Sequence, residues 1–259
     1  MKKRYVGLIG LLLVGFAIFG WNPFAADRDT SGVLAQGYAG FETGSERQAN
    51  GVYKVRALTR MPGVKAEMVR WWFADYMQTT EHYKMWHPTA HIWMDWENKT
   101  PGEIIGAAHL VHETIGPDPT VHKLRIQFVE PTDYLLDWED GPGKVAICAR
   151  AGALEEPMNF STLCHIVRDT EFGAEMRSVF WMGHVSKRDG NENIFSIEGL
   201  AANTWLARRL LIRQEFADNL MTHAIEEMGT LSDFLPELHA AETALAAPDE
   251  AQPSAQGAS

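Results

Sequence analysis

The chain has 259 residues, 46% of them hydrophobic, so it is long enough to bury a sizeable core, and its composition excludes a chain that is disordered throughout. With 23 basic and 34 acidic side chains the formal net charge is −11, which disfavours nucleic acids and other polyanions as partners. We therefore expect one main domain that binds no nucleic acid.

The chain begins with Met-Lys-Lys-Arg and an apolar run from Tyr5 to Trp21, a pattern typical of a secretory signal. The run is shorter than the roughly 20 apolar residues that a membrane-spanning helix needs, but no clean Ala-x-Ala cleavage site follows it. Two alternatives stay open for residues 1–26, a cleaved signal peptide and an N-terminal membrane anchor. In both cases we expect an exported domain, either periplasmic or held at the membrane.

Segments rich in small and polar residues flank the expected domain. Residues 27–60 predict a flexible spacer, and residues 240–259 predict a disordered tail. The predicted domain therefore covers residues 61–239, and residues 61–90 form its N-terminal helical part.

The helical part begins with a helix that is predicted to start near Val64, because apolar residues recur at helical spacing as far as Asp75. A short helical piece over residues 81–86 is expected to end at His87, since the proline that follows disfavours the helical conformation in the residue before it. His91 is then expected in a loop or at the start of a strand.

From Gly102 onward, runs of β-branched and aromatic residues alternate with turns of Gly, Pro and Asp, which is typical of strands. The clearest run contains Leu124, Ile126 and Phe128 between polar neighbours. The predicted strands cover residues 104–113, 124–130, 144–150, 160–168 and 175–186. Because the connections are mostly too short for crossover helices, we expect an antiparallel sheet.

A long helix is predicted from about Gly199 to Leu231, and its end is expected near Gly229 or Ser232, before Pro236. A curved sheet that wraps around this helix would bury the apolar face of the helix and leave a cavity between the two. The expected fold class is therefore α+β.

The two cysteines, Cys148 and Cys164, fall on strands that we expect to be neighbours. Export would permit a disulfide bond between them. Two small thiols buried in the core are the alternative, and the sequence leaves this choice open.

A pair of side chains on the long helix, His223 and Glu227, indicates a metal site. Their four-residue spacing projects both from one helix face, and they continue an inward-facing apolar stripe formed by Ile212, Phe216 and Leu220. A buried carboxylate beside a buried imidazole needs a compensating charge, which a divalent cation supplies. The alternative is a solvated surface pair that contributes only about 0.3 to 0.5 kcal/mol.

Further residues of ligand type lie upstream, namely His87, His91 and Glu113. A zinc ion held by two histidines and two glutamates is chemically reasonable. Structural zinc sites usually contain cysteine, so a zinc ion bound in this way would be catalytic. The residues alone leave the choice between His87 and His91 open.

Ordered motifs run along nearly the whole predicted domain, from about Val64 to Leu238. They are Trp71-Trp-Phe, Tyr83-Lys-Met-Trp-His-Pro-Thr-Ala-His91, His112-Glu-Thr-Ile-Gly116, Arg177-Ser-Val-Phe-Trp181, and His223-Ala-Ile-Glu-Glu227 followed by Phe234-Leu-Pro. Together they resemble the 2,4-diacetylphloroglucinol hydrolase and phloretin hydrolase family. The resemblance implies a Bet v 1-like (helix-grip) fold and a Zn²⁺-dependent hydrolase that acts on carbon–carbon bonds in ketonic substances.

The resemblance also implies the roles of individual residues. The zinc ligands would be His91, Glu113, His223 and Glu227. His91 is preferred to His87 because it lies eight residues after Tyr83, as the family's ligand does after its substrate-binding tyrosine. The family's catalytic histidine corresponds to His165, and Tyr83 would bind the phenolic oxygen.

Two positions depart from the family's pattern. Met94 and Phe180 stand where the diacetylphloroglucinol enzyme has an asparagine and a tyrosine. With Tyr83 and His87, they are the residues that we expect to contact the substrate. Because two polar groups are lost, a less hydroxylated or bulkier acyl phenol, or another β-diketone-like compound, is the expected substrate.

The chemistry that we expect is hydrolysis of the bond between an acyl group and a phenolic ring. In the keto tautomer of a polyphenol the acyl carbon is part of a 1,3-dicarbonyl, so attack by water releases a carboxylic acid, and His165 or Tyr83 gives a proton to the ring carbon. The partner is then a small phenolic ketone, and a homodimer stays open. The alternative is a non-catalytic exported carrier that binds an apolar aromatic or polyketide ligand without metal.

Overall fold

The structure is a computed structural model that describes residues 30, 32–34, 37–189 and 192–246. The predicted export segment at residues 1–26 lies outside the described residues, and so does the end of the predicted tail, residues 247–259. In the described part of the chain, no helix is both long enough and apolar enough to cross a membrane.

One antiparallel sheet forms most of the domain. Its nine strands are β1 (Gly44–Arg47), β2 (Tyr53–Pro62), β3 (His91–Glu97), β4 (Ala108–Thr114), β5 (Val121–Val129), β6 (Lys144–Ala153), β7 (Met158–Thr170), β8 (Gly173–Arg188) and β9 (Glu192–Asn193). The order across the sheet is β1-β2-β8-β7-β6-β5-β4-β3, and β9 pairs with β8. Strands β3 to β8 thus form a continuous meander, and β2 extends it by pairing with β8.

Among the described residues, five helices accompany the sheet: α1 (Ala66–Trp71), α2 (Thr80–Trp86), α3 (Ile197–Ala202), α4 (Trp205–Leu211) and α5 (Gln214–Ala246). A π-helical turn, Trp72–Tyr76, continues α1. Helices α1 and α2 connect β2 to β3, and α5 packs against β2, β1, α1 and α2. The helix-grip prediction, a curved antiparallel sheet with one long C-terminal helix, is confirmed.

Alternate residues of the central strands face two separate hydrophobic clusters, as the two-residue period of a strand requires. On β8, Met176 and Phe180 belong to the larger cluster, which also contains the buried side chains of α5. Val179 and Trp181 belong to a smaller cluster on the other face of the sheet. On β8, the side chains that point toward α5 are therefore the even-numbered ones, such as Met176 and Phe180.

The disulfide is formed between β6 and β7, where Cys148 lies directly opposite Cys164. Their Cα atoms are 4.1 Å apart, and both side chains belong to the smaller hydrophobic cluster. The alternative that the sequence left open, two free thiols, is not what the structure contains.

The predicted spacer at residues 27–60 requires a correction, because it contains β1 and most of β2. The composition was misleading because β2 buries charged side chains, Lys54 at 1% exposure and Arg56 at 3%. Arg56 forms an ion pair with Glu42, with nitrogen and oxygen 3.3 Å apart. An alternation of Lys and Arg with apolar residues suggests a solvated face, but both cations are buried, and Arg56 lies against Glu42 and the ring of Phe41.

The long helix also differs from its prediction. The expected helix over residues 199–231 is divided into α3, α4 and the first half of α5. The last helix then continues through Pro236 to Ala246, beyond the expected end near Gly229 or Ser232 and into the predicted tail. A proline inside a helix costs about 3 kcal/mol. Leu231 and Leu235 are fully buried, and their packing offsets that cost.

Candidate metal centre and cavity

A cavity of about 500 Å³ lies between the sheet and α5. Its walls come from β4, β5, β7 and β8 on the sheet, from α5, and from the segment that leads into α5. Most of the lining side chains are apolar, for example Phe128, Phe180 and Leu220. This size and character are typical of a site for a small organic molecule.

Four side chains of ligand type meet at the wall of this cavity: Glu113, His223 and Glu227 line it, and His91 contacts them without lining it. Glu113 on β4 lies opposite His91 in the register of β3 and β4, whereas His223 and Glu227 are one turn apart on α5. Oε2 of Glu227 lies 3.6 Å from Nε2 of His91 and 3.8 Å from Nε2 of His223. Oε2 of Glu113 lies 3.8 and 3.9 Å from the same two nitrogen atoms.

The protonation of His91 indicates how this cluster is arranged. Its Nδ1 lies 2.8 Å from the backbone oxygen of Tyr83, which only accepts hydrogen bonds, so Nδ1 carries the proton. Its Nε2 then presents a lone pair, and it is a buried atom without a hydrogen-bond partner among the described residues. A lone pair that faces the carboxyl oxygens of Glu113 and Glu227 is repelled unless a proton or a metal cation lies between them.

The electrostatics of Glu227 indicate the same shortage of positive charge. Burial raises the pKa of this carboxyl to about 8, an effect that His223 opposes and Glu113 reinforces. Burial also lowers the pKa of His91, against the attraction of Glu113. A divalent cation would stabilise the carboxylate and leave the imidazole neutral, so the donor set fits a metal ion. Ligand atoms of His91, Glu113 and His223 all lie within 4.8 Å of one another.

Tyr83 orients two of these ligands. Its hydroxyl donates a hydrogen bond to Oε2 of Glu113, and its ring stacks on His91 with centroids 3.6 Å apart. Burial, reinforced by the charge of Glu113, raises the pKa of Tyr83 well above its usual value, so the phenol keeps its proton. Such contacts fix the direction in which a ligand presents its lone pair.

Comparison with known proteins gives the family of this chain. A family model described as the DAPG hydrolase PhiG domain matches residues 25–240. The chain belongs to this family. It is 26% identical over 204 residues to phloretin hydrolase from Eubacterium ramulus, a match that covers 75% of this chain and 70% of the relative. A 2,4-diacetylphloroglucinol hydrolase from Pseudomonas sp. is 24% identical over 230 residues, with coverage of 82% and 75%.

Solved structures with a similar fold share less sequence with this chain. Protein Ms6760 from Mycobacterium smegmatis has a TM-score of 0.40 and 12% identity, covering 77% of this chain and 98% of its own. Ara h 8.0201 has a TM-score of 0.42 and 8% identity, covering 72% and 99%. The helix-grip arrangement of this chain is established by its own strand order and by the long helix α5. The predicted resemblance is confirmed by the family match.

The candidate catalytic histidine of this family member, His165, lines the cavity from β7. Its Nδ1 lies 2.8 Å from Oγ of Ser178 on β8, and its ring meets the edge of Phe180 with centroids 5.8 Å apart. Burial lowers the pKa of His165 to about 4, so the imidazole is neutral at pH 7.

Of the four expected substrate contacts, Tyr83 and Phe180 line the cavity, whereas Met94 and His87 are not among the residues that line it. Met94 is packed in the hydrophobic core at 4% exposure. The pairing of β3 with β4 is irregular between His91 and Trp93, so counting residues from His91 does not give the direction of Met94.

His87 lies behind the ligand cluster and not in it. Its ring stacks on His223 with centroids 4.9 Å apart, and its Nε2 is 3.5 Å from Oε2 of Glu226. His91 is therefore the histidine of this segment that faces Glu113 and Glu227.

Several polar residues line the cavity without having been assigned a role from the sequence, and His109 and Arg208 are the most deeply buried of them. His109, on β4, has the same parity as Glu113 and is 3% exposed, and its Nε2 has no hydrogen-bond partner among the described residues. Burial lowers its pKa to about 3. The two-residue period of β4 could have identified it, since it places His109 on the face that carries Glu113.

Arg208 is the second of these residues and is 1% exposed. Its guanidinium donates hydrogen bonds to the backbone oxygen atoms of Gly183 at 2.7 Å and of Asn50 at 3.1 Å, and to Oδ1 of Asn203 at 3.2 Å. These bonds attach α4 to β8 and to the turn before β2. Burial lowers the pKa of Arg208 to about 10, so it stays charged at pH 7.

Proposed function

We propose that this protein is a zinc-dependent hydrolase that cleaves the carbon–carbon bond between an acyl group and a phenolic ring and releases a carboxylic acid. The chain belongs to a hydrolase family, and the relatives reported above are named phloretin hydrolase and 2,4-diacetylphloroglucinol hydrolase. The observation that carries the proposal is the convergence of two imidazoles and two carboxylates, His91, Glu113, His223 and Glu227, at the wall of an apolar cavity.

Zinc is the ion that this donor set favours, because imidazole nitrogen and carboxylate oxygen are both common ligands of catalytic zinc. When bound, the ion would polarise the carbonyl of the substrate and lower the pKa of a water molecule. The hydroxyl of Tyr83 holds Glu113 in position for this role, and the backbone oxygen of Tyr83 holds His91.

The other residues of the cavity bind the phenolic ketone and handle its proton. The apolar wall, which includes Phe180 and Leu220, excludes bulk water from the ring. The oxygen of a water molecule bonds to the acyl carbon, and the bond from this carbon to the ring breaks with its electron pair left on the ring carbon. His165, held by Ser178 and neutral at pH 7, takes the proton that this water molecule releases and passes it to the ring carbon. The products are a carboxylic acid and the deacylated phenol.

The side chains that line the cavity, and its volume, indicate which substrate it prefers. Phe180 offers no hydrogen bond, and the cavity of about 500 Å³ has room for more than a phenol with two short acyl groups. We therefore favour a phenolic ketone with a bulkier acyl chain or fewer hydroxyl groups than 2,4-diacetylphloroglucinol.

The proposal includes action outside the cytoplasm. The bond between Cys148 and Cys164 supports it, because structural disulfides persist in oxidising compartments. Fractionation of cells that express the full chain, combined with protease treatment of intact spheroplasts, tests the location. Recovery of the domain in the cytosol with free thiols would contradict it.

Metal analysis of the purified full chain tests the site. We expect one zinc ion per chain in the wild type, loss of it in Glu227→Gln, and retention in Glu237→Gln, which makes the same charge change on an exposed position of α5. Release of carboxylic acid from a panel of acylphenols, beginning with phloretin, then tests the reaction. Binding of these phenols by a metal-free wild type without turnover would instead support the carrier.

A further inference from the structure

The segment that leads into α5 exposes an unusual number of large apolar side chains. Five of them lie on or next to α3 and α4, and we call them the apolar patch: Ile197 at 83% exposure, Leu200 at 43%, Trp205 at 36%, Leu210 at 71% and Leu211 at 74%. Exposed apolar groups that are scattered singly are ordinary, whereas a concentration in fifteen consecutive residues marks a surface that another apolar phase covers.

The orientation of these helices is the reverse of the usual one. A surface helix normally buries its apolar residues and exposes its polar ones. Here the fully buried side chains are Asn203 and Arg208. Asn203 bonds to both the backbone nitrogen and the backbone oxygen of Val185, at 2.9 and 2.6 Å, and Arg208 bonds to Gly183. The polar face is therefore fastened to β8, which leaves the apolar patch outward.

The apolar patch is continuous with the mouth of the cavity. Leu211 is 74% exposed and also lines the cavity. Arg213, which is exposed too, lines the cavity beside it. A hydrophobic molecule that lies against the patch would thus reach the metal centre without crossing water.

The charge around the patch differs from that of the whole chain. The formal net charge of the chain is −11, yet residues 197–213 contain three arginines and a single glutamate. That glutamate, Glu198, forms an ion pair with Lys187 at 3.3 Å. Arg209 lies over the ring of Trp205, with its guanidinium carbon 5.3 Å from the ring centroid. Tryptophan and arginine beside exposed aliphatic residues are typical of a surface that enters the headgroup region of a bilayer.

We propose that the apolar patch docks on a lipid bilayer that contains anionic headgroups, and that the cavity takes its hydrophobic substrate from that bilayer. Arg209 and Arg213 bind the headgroups, and Leu210 and Leu211 enter the acyl region. The acidic remainder of the domain is repelled by the same surface, which orients the cavity mouth toward the lipid. A second copy of this chain is a less suitable occupant, because it would bring the same arginines together.

A fluorescent label on the patch tests this in the full chain. Leu210→Cys carries an environment-sensitive dye, and Leu245→Cys is the matched control, an equally exposed leucine (80%) on the far end of α5. Helix α5 has 33 residues and is therefore roughly 50 Å long, and Leu245 lies near its C-terminal end. The native cysteines are joined to each other, so they do not take the label. The probes are vesicles of phosphatidylcholine with phosphatidylglycerol.

We expect the emission at position 210 to shift to the blue and to be quenched by lipids that carry a quencher in their acyl chains. The emission at position 245 stays unchanged. Equal emission at position 210 with and without vesicles overturns the proposal, even where the chain binds vesicles through its N-terminal apolar run. A shift at position 210 that follows protein concentration without lipid also overturns it, because a second copy then covers the patch.

The arginines provide the second arm of the test. Arg209→Gln with Arg213→Gln should weaken partition onto the anionic vesicles about thirtyfold at low salt. The control pair, Arg60→Gln with Arg70→Gln, removes two exposed arginines elsewhere and should have little effect. Equal losses in both pairs would contradict docking through the patch. None of these measurements needs turnover or bound metal, so a failure of the proposed hydrolysis would be recognised separately.

Discussion

Three of the four ligands of the candidate metal centre are directed by a neighbouring group that the fold holds in place. The backbone oxygen of Tyr83 selects the tautomer of His91, and the hydroxyl of the same residue binds Glu113. On α5, the ring of His87 stacks on His223. These three donors are therefore preorganised, and we expect the side chains around them to contribute to metal affinity without touching the ion.

Tyr83→Phe tests this at the level of a single oxygen atom. The ring still stacks on His91, but Glu113 loses the hydrogen bond that orients it, so we expect zinc affinity to fall roughly 10- to 100-fold. Competition with a chromogenic chelator measures the change. Tyr76→Phe, which removes a hydroxyl outside the cavity lining, is the control. Equal affinities of Tyr83→Phe and wild type would show that the hydroxyl does not orient the ligand.

Because His165 is buried, we expect the free energy of unfolding to depend on pH. Its pKa is about 4 in the folded protein, below its value of 6.5 in a free side chain, because the imidazole is buried. Between these pH values the unfolded chain binds a proton that the folded protein excludes, so the free energy of unfolding decreases as pH falls. The contribution of this residue, roughly 3 kcal/mol, is present above about pH 6.5 and lost near pH 4.

The variant His165→Gln lacks this titration. Its urea unfolding at pH 7 and pH 4.5 should therefore lose less free energy than the unfolding of the wild type over the same interval. Equal losses of unfolding free energy in the variant and the wild type would mean that His165 is already protonated in the folded state or exposed to solvent.

His109 presents a hydrogen-bonding nitrogen inside the cavity, between the rings of Trp96 and Tyr83, with centroids 4.7 and 5.1 Å away. If this nitrogen binds an oxygen of the substrate, His109→Phe should lower kcat/KM about 10- to 100-fold for an acylphenol that carries the matching hydroxyl. It should change little for the analogue without that hydroxyl. Metal content serves as the control, and an equal loss for both substrates would point to packing instead.

Among the elements, the sheet and α5 depend on close backbone contacts as well as on apolar burial. The hairpin between β7 and β8 turns at Gly173, whose φ of +147° is rarely adopted by other residues. A Cβ atom there would lie against the backbone of Met61 and Gly63. The turn therefore lets β2 approach β8 closely enough to pair.

Two glycine substitutions distinguish these elements. Gly173→Ala should destabilise the protein by at least about 2 kcal/mol, because both the conformation and the space are unsuitable. Gly229→Ala lies in α5 with no atom within 4 Å of the added carbon, so it should stabilise the protein by roughly 0.5 to 1 kcal/mol. Denaturant unfolding measures both, and effects of the same sign would contradict the described packing.

For the whole molecule, the sheet separates two hydrophobic clusters with different tasks. The cluster toward α5 surrounds the cavity, whereas the cluster on the other face contains the disulfide between Cys148 and Cys164. The disulfide thus stabilises the wall of the cavity from behind, without contact with the candidate metal ligands. Stability and chemistry can therefore be changed independently.

Reduction of the disulfide should lower the free energy of unfolding by about 3 kcal/mol, because the bond closes a loop of 16 residues in the unfolded chain. Urea unfolding with and without reductant measures this. The double variant Cys148→Ala with Cys164→Ala should be less stable and insensitive to reductant. A wild type that is also insensitive would indicate that the bond is absent in solution.

The sequence by itself determined the features that repeat at short range. The four-residue spacing of His223 and Glu227 fixed a ligand pair on one helix face, and alternation of apolar residues identified the strands from β4 to β8. The ordered motifs identified the family. These features depend on neighbours in the chain, whose geometry the backbone imposes locally.

Only the tertiary structure decided the features that depend on distant contacts. It brought His91 to Glu113 and set His87 behind His223, it turned Met94 into the core, and it made a strand from residues with buried cations such as Lys54. It also carried α5 through Pro236. In each case the free energy comes from packing or pairing with residues far along the chain, and no local periodicity encodes those partners.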